Sequence, residues 1–225
     1  MNDELKKICP LCKNESPKVE DLFLSPDRIP DDHELGFLFD CHLCGPFIVS
    51  EHDLKHTLLK LNLEQVYKPV TVSEEDASKL SALLREHHLK FGQTVWLRFR
   101  DDSSYGILVE RDTQKPPDHV PMQAHELLGR WPHTVPEKLD RTLRNLASLS
   151  PKGGAIVEIR ARDCGVCFAR DFEETSYHIT SLEEQDLLRK SHPTLISNSL
   201  WPLQASIYIF YTLDTTPKWW LSPPQ

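Results

Sequence analysis

Four of the six cysteines in this 225-residue chain form two Cys-x-x-Cys pairs, Cys9/Cys12 in KKICPLCKNE and Cys41/Cys44 in LFDCHLCGPF. A Cys-x-x-Cys turn aims two sulfurs at one point. Two such turns complete a tetrahedral S4 site of the kind that holds Zn2+. With sulfur at all four positions no place remains for a reacting water, so the spacing points to one structural Zn2+ rather than a catalytic one. Pro10 stiffens the first turn. Gly45 directly follows the last cysteine, where a residue without Cβ lets the backbone tighten around sulfur. His42, next to Cys41, is an alternative ligand in place of one cysteine. The third pair, Cys164/Cys167 in ARDCGVCFARD, follows the strand-like GAIVEI. Thioredoxin-type redox chemistry needs a helix to start at such a pair, and FARDFEE delays it. The third pair therefore reads as a packed turn, with redox or metal chemistry as alternatives.

The remaining chemistry is sparse. Eleven histidines allow local pairs such as His87/His88 and His119/His125. No nucleophile motif, phosphate-cradling glycine loop or open metal site accompanies them, so the chain reads as a non-enzyme. The start, MNDELKKIC, lacks the apolar core of a signal peptide, and the apolar runs are too short for a bilayer. Both point to a cytoplasmic location without membrane contact, where thiols stay reduced.

The elements that must position these residues follow from periodicity. DLFLSPDRIPDDHELGFLFD, between the two cysteine pairs, suits a hairpin. A region this small has little core of its own, and bound zinc can add on the order of 10 kcal/mol of folding free energy. SEHDLKHTLLKLNLEQ predicts a helix from Ser50 with Leu54, Leu58, Leu59 and Leu61 on its inner stripe. Ser73 and Asp76 resemble a capping box ahead of EEDASKLSALLREHHLK, whose buried side would be Leu80, Leu83 and Leu84. His87 and His88 would then meet the negative end of that helix. TVWLRFRDDSSYGILVERD alternates in period two around a turn and predicts a β-hairpin. Trp96, Arg98 and Arg100 share one face of it, able to stack and to pair with phosphate.

PEKLDRTLRNLASLS predicts a helix with Leu139, Leu143, Leu146 and Leu149 inward and Lys138, Arg141 and Arg144 outward. A strand AIVEIR, a helix in DFEETSYHITSLEEQDLL and a final alternating ribbon SLWPLQASIYIFYTL follow. These are the parts of a winged helix-turn-helix. The expected fold class is thus α+β: a zinc ribbon over residues 1–50, a helical region with a β-hairpin over 51–130, and a winged-helix-like domain over 131–225.

Net charge is −8. Residues 1–70 carry 8 basic and 13 acidic side chains, 71–136 carry 8 and 10, and 137–225 carry 10 and 11. No third is net basic, whereas binding to a phosphate backbone draws on Lys and Arg. The expected recognition helix bears Glu173, Glu174, Glu183, Glu184 and Asp186 against Arg189 and Lys190, which favours a protein partner. The alternative is a DNA- or RNA-binding regulator. Its contacts would be Lys138, Arg141, Arg144, Lys152, Arg160 and Arg162, or the strand with Trp96, Arg98 and Arg100.

Five segments carry a family resemblance: CHLCGPFIVS, LSALLREH, VPEKLDRTLRNLASLS, EETSYHITSLEEQDLL and YTLDTTPKWW. In this order they resemble the N-terminal region of a group of bacterial multidomain proteins. There a zinc-ribbon and helical module precedes a TIR-like or nucleoside-deoxyribosyltransferase-like effector domain, an arrangement associated with defence against phage. The resemblance implies a zinc-binding recognition or adaptor module, the recognition half of such a protein without its enzyme, acting as a sensor or regulatory subunit on a protein partner, with a separate effector chain as one candidate. Three positions depart from the family pattern. Asp186 stands where a Gly precedes Leu-Ile, Trp219 follows Lys218 without the intervening Gly, and Asp163, Cys164, Gly165 and Val166 replace Asp-Tyr-Pro-Leu.

Overall fold

A computed structural model describes residues 8–14, 18–24, 35–61, 71–99, 108–110, 119–149, 156–190 and 206–210. The chain is α+β and divides into two compact units, residues 1–131 and 132–225.

In the first unit, β1 (Lys18–Leu24) and β2 (Leu35–Cys41) pair antiparallel from Lys18↔Asp40 to Phe23↔Leu35, as the hairpin reading of that segment expects. β2 continues antiparallel to β3 (Gly45–Ser50) through the turn that carries Cys41 and Cys44. A short helical stretch with π-type turns at Asp53–Leu58 follows, then α1 (Glu74–Phe91). The chain returns as β4 (Thr94–Arg98), parallel to β3. β5 (Leu108–Glu110) pairs with β1, and β6 (His119–Gln123) pairs parallel with β4 before α2 (Ala124–Leu128). The result is one mixed sheet in the order β5-β1-β2-β3-β4-β6. Strands from residues 1–50 and from 51–130 therefore share a sheet.

β4 and β5 do not form the expected hairpin: they lie in different parts of the sheet, separated by β1, β2 and β3. The period-two reading assumed one wet face. Val95, Trp96 and Leu97 are instead all buried, because β4 is an internal strand with both faces covered. Phe37, Phe39, Phe47, Val49, Val95, Leu97 and Met122 fall on one face by register, with the Phe39 and Phe47 rings stacked 5.2 Å apart. Leu22, Ile48 and Trp96 cluster on the other, with Leu38 against them. Each fully buried Phe contributes about 1.5–3 kcal/mol. Pro121 occupies the edge strand β6, the place in a sheet where proline is tolerated.

α1 begins at Ser73 as expected, with the serine half of the capping box formed and the Asp76 carboxylate accepting from the Ser73 hydroxyl at 2.8 Å. Ser73 Oγ accepts from Asp76 N at 3.0 Å, and Gly92 ends the helix at φ 67°. Leu80, Leu83 and Leu84 are buried against the sheet side, where α1 meets β3 and β4. The preceding helix is shorter than its leucines suggest. Leu59 N bonds Leu54 O, a π-type closure, and Lys60 turns left-handed at φ 55°. Leu54 and Leu58 are buried, whereas Leu61 lies beyond the end and is exposed.

The second unit runs α3 (Val135–Leu149), β7 (Ile156–Arg160), a 3-10 turn (Ala161–Cys167), α4 (Phe172–Glu184), β8 (Arg189–Lys190) and β9 (Ser206–Phe210). Its sheet is antiparallel in the order β7-β9-β8. Leu143 and Leu146 of α3, Val157 and Ile159 of β7, and Ile179 and Leu182 of α4 are buried, together with Phe168. α4 starts on Asp171, which accepts from Glu174 N, and ends in a Schellman turn: Asp186 N to Glu183 O and Leu187 N to Leu182 O. Asp186 takes the left-handed position at φ 57°. Among the described residues no helix is long and apolar enough to cross a membrane.

Candidate metal centre

The two knuckles are built alike. Lys13 N bonds back to Cys9 O and Cys9 N to Asn14 O, closing the first turn. In each knuckle the residue after the second cysteine is left-handed, Lys13 at φ 58° and Gly45 at φ 73°. Leu11 and Leu43, in the middle of the two turns, are both buried. The four sulfurs of Cys9, Cys12, Cys41 and Cys44 converge to within 4.8 Å of one another, all buried. Cys9 Sγ is 3.6 Å from Cys44 Sγ, and Cys12 Sγ is 3.5 Å from Cys41 Sγ. A regular tetrahedron with metal–sulfur bonds of about 2.3 Å has edges of about 3.8 Å, so the cage has the size one four-coordinate ion needs.

Electrostatics favours an ion in the same place. Burial pushes the Cys44 thiol well above its ordinary pKa, and Cys9 is raised too, chiefly through its hydrogen bond with Cys12, while Cys41 is held well below by its hydrogen bonds with Cys12, Cys44 and Cys9. Four thiolates this close repel, and a bound cation removes that penalty while releasing the thiol protons. These four buried cysteines can bind one metal ion. His42 is exposed, and four sulfurs already fill the set, so it does not replace a cysteine.

α1 closes over the second knuckle. Ser81 Oγ lies 3.0 Å from Cys44 Sγ, and Arg85 Nη1 donates to His42 O and, at 3.2 Å, to Leu43 O. A Cβ on Gly45 would sit 3.5 Å from His88 Cβ. Neither Ser81 nor Arg85 stands out in the sequence as a site residue. Their signal is two polar residues one turn apart among Leu80, Leu83 and Leu84.

The other cysteine pair is different in kind. Cys164 and Cys167 are buried at the end of the 3-10 turn, and burial raises both thiols above their ordinary pKa. The carbonyls there are committed: Thr142 Oγ1 and His178 Nδ1 both bond Cys167 O, and Asn145 Nδ2 donates to Val166 O. This is a packed turn with protonated thiols.

Among the described residues of the expected basic contact set, Lys138, Arg141 and Arg144 each pair with a carboxylate. Lys138 is buried and pairs with Glu174 at 2.6 Å. Of the expected outward stripe Arg144 is exposed, but Lys138 faces inward with Thr142 and Asn145: Lys138 is held by the part-buried Glu174, the other two by buried backbone carbonyls. Arg141 pairs with Glu137 and lies over the Phe168 ring, and Arg144 pairs with Asp140. Arg160 is exposed. Arg162 belongs to the 3-10 turn. Lys152 and Arg100 lie outside the described residues. Trp96 is not an open stacking platform: it is buried beside Leu22 and Ile48, with Arg98 5.5 Å from its ring centroid and His119 edge-on at 5.4 Å. His87 is buried as well, and burial lowers its pKa, so it packs as a neutral ring rather than a charged helix cap. His88 Nδ1 instead meets Gln93 O.

Compared with known families, curated proteins and solved structures, the chain has no match.

Proposed function

We propose that the chain is a non-enzymatic recognition or adaptor module, its first unit held by one structural Zn2+ and its second presenting a winged-helix-like docking face to a partner protein. The closed four-sulfur cage carries this reading, because an ion with four sulfur ligands has no position for substrate or water. Sulfur donors in tetrahedral array suit Zn2+ among common ions, with iron the competitor. The chain order α3, β7, 3-10 turn, α4, β8, β9 with sheet order β7-β9-β8 supports the winged-helix assignment. In that assignment α4 is the presented helix. Its exposed face carries Glu173, Tyr177, Thr180 and Glu184, acids around an aromatic ring, which suits a protein surface better than phosphate. The internal pairing of Lys138, Arg141 and Arg144 points the same way.

The motif order supports a place in bacterial anti-phage defence, as a sensor or regulatory module that acts on an effector. Metal analysis of the purified chain should return one zinc per chain, and chelation should unfold the first unit. A chain without stoichiometric metal, or one that stays folded after Cys41→Ser and Cys44→Ser, overturns the zinc reading. For the docking face, the full chain should capture a specific effector chain from phage-challenged cells, and Tyr177→Ala should abolish capture without changing the circular dichroism. A salt-dependent mobility shift with DNA or RNA would transfer the reading to a nucleic-acid regulator.

A further inference from the structure

We propose that Ser81 and Arg85 of α1 are positioning residues of the metal centre, so that loading the ion and docking α1 onto the second knuckle are one event. This rests on the metal reading above. An S4 site around a dication carries a net charge of −2, and in a buried position that excess must be met by N–H and O–H donors. Ser81 is 2% exposed and its hydroxyl is 3.0 Å from Cys44 Sγ, the most deeply buried corner of the cage with Cys9. Its O–H donates to that sulfur once the sulfur is a thiolate. One turn further on, the buried guanidinium of Arg85 donates to the two carbonyls inside the knuckle, at His42 and Leu43. It thereby fixes the peptide planes that aim Cys41 and Cys44. One turn further again, His88 rests on Gly45, whose left-handed backbone ends the knuckle. Ser81, Arg85 and His88 follow the i, i+4, i+7 spacing of one helix stripe. That stripe covers the knuckle from outside while the ion holds it from inside.

The substitution Ser81→Ala is informative because alanine raises helix propensity at an interior position. Any loss then belongs to the bond with Cys44. In the full chain, competition with a chromophoric chelator should show Zn2+ held about 10-fold more weakly in Ser81→Ala and up to about 100-fold more weakly in Arg85→Gln, the usual range for such outer partners. Arg85→Lys should recover only part, since one ammonium does not reproduce the planar fork. With Co2+ as probe, the sulfur-to-metal charge-transfer band of Ser81→Ala should move to lower energy, because losing the O–H donor raises the sulfur lone pairs. Ser81→Thr, which keeps the hydroxyl, should return the band to its wild-type position.

Wild-type protein supplies a readout that needs no variant. Removing the metal should accelerate amide exchange across residues 77–91 together with 41–45. If the chain binds one ion tightly but both variants match wild type within twofold, or α1 stays protected without metal, the coupling is refuted and the metal site stands. If wild type binds neither Zn2+ nor Co2+ stoichiometrically, both fall.

Discussion

Replacing Lys138 with methionine separates an internal role from a surface one. The ammonium lies 2.6 Å from Glu174 Oε1, with side-chain exposures of 11% and 16% for the two partners. Breaking a buried pair by removing one member costs about 3–5 kcal/mol, because the remaining charge loses its counter-ion. Here Glu174 is not orphaned: Arg170 still donates its backbone N–H at 2.8 Å and its Nε at 3.1 Å to the other carboxylate oxygen. Methionine also keeps the packing of the lysine stem. The expected loss is therefore at or below the bottom of that range, about 2–3 kcal/mol. With two units in the chain, a single global transition is not the right measure. Amide exchange in α3 and α4 should accelerate by about 30- to 150-fold, the same free energy at 1.36 kcal/mol per factor of ten.

The pH dependence carries a sign. Burial by itself would raise the Glu174 carboxyl, but Lys138 and the Arg170 donors hold it at about 2, below its ordinary value of 4.5. A depressed carboxyl stabilises the fold fully above the unfolded pKa, and that stability is lost as pH falls from about 4.5 towards 2. Lys138→Met should flatten this acid limb, and Glu174→Gln should flatten it further. A variant within 0.5 kcal/mol of wild type (about twofold in exchange) and with an unchanged acid limb would refute the buried pair and return Lys138 to the surface.

Two further outcomes follow from the second unit. Asp186→Gly should stabilise α4 by up to about 1 kcal/mol, since the residue sits at φ 57° in the Schellman turn where a side chain is strained; local exchange or thermal melting of the unit reads it, and a destabilised variant would mean that the aspartate side chain makes a compensating bond. Cys164 and Cys167 should resist alkylation at pH 7 in the native protein and react only at the rate of local opening, because burial holds both as thiols; fast stoichiometric labelling would refute the packed-turn assignment.

The cysteine cage was legible because its signal is local: four identical ligands at fixed spacing in two turns. The cap of α1, the β1–β2 hairpin and the strand β7 were legible for the same reason, each being set by residues within a few positions of one another. The pairing of β4 was not. Its period-two pattern and the turn residues after it suggested β5 as partner, whereas the helical connection from β3 to β4 delivers a parallel strand and leaves β5 to β1. Which strand a segment joins depends on neighbours 48 residues upstream in register, Phe47 to Val95, and no local pattern encodes that.

The polar residues on the buried sides of α1 and α3 were the other blind spot, and the two cases share one cause. A helical period analysis sends serine, threonine, asparagine, lysine and arginine to solvent. Yet a Cys-x-x-Cys turn folded into a core leaves carbonyls that need donors, and an adjacent helix supplies them. Arg85 serves His42 and Leu43 in the first unit, and Thr142 and Asn145 serve Cys167 and Val166 in the second. The same bracing thus surrounds both kinds of cysteine turn, so bracing alone does not make a metal site. What separates them is convergence: four sulfurs within 4.8 Å form the one such cluster among the described residues, and Cys164 and Cys167 belong to no such set. In the first unit the donors on the turn's carbonyls and the ion on its sulfurs hold the same knuckle, and the bond from Ser81 to Cys44 is the part of the bracing aimed at the sulfur itself.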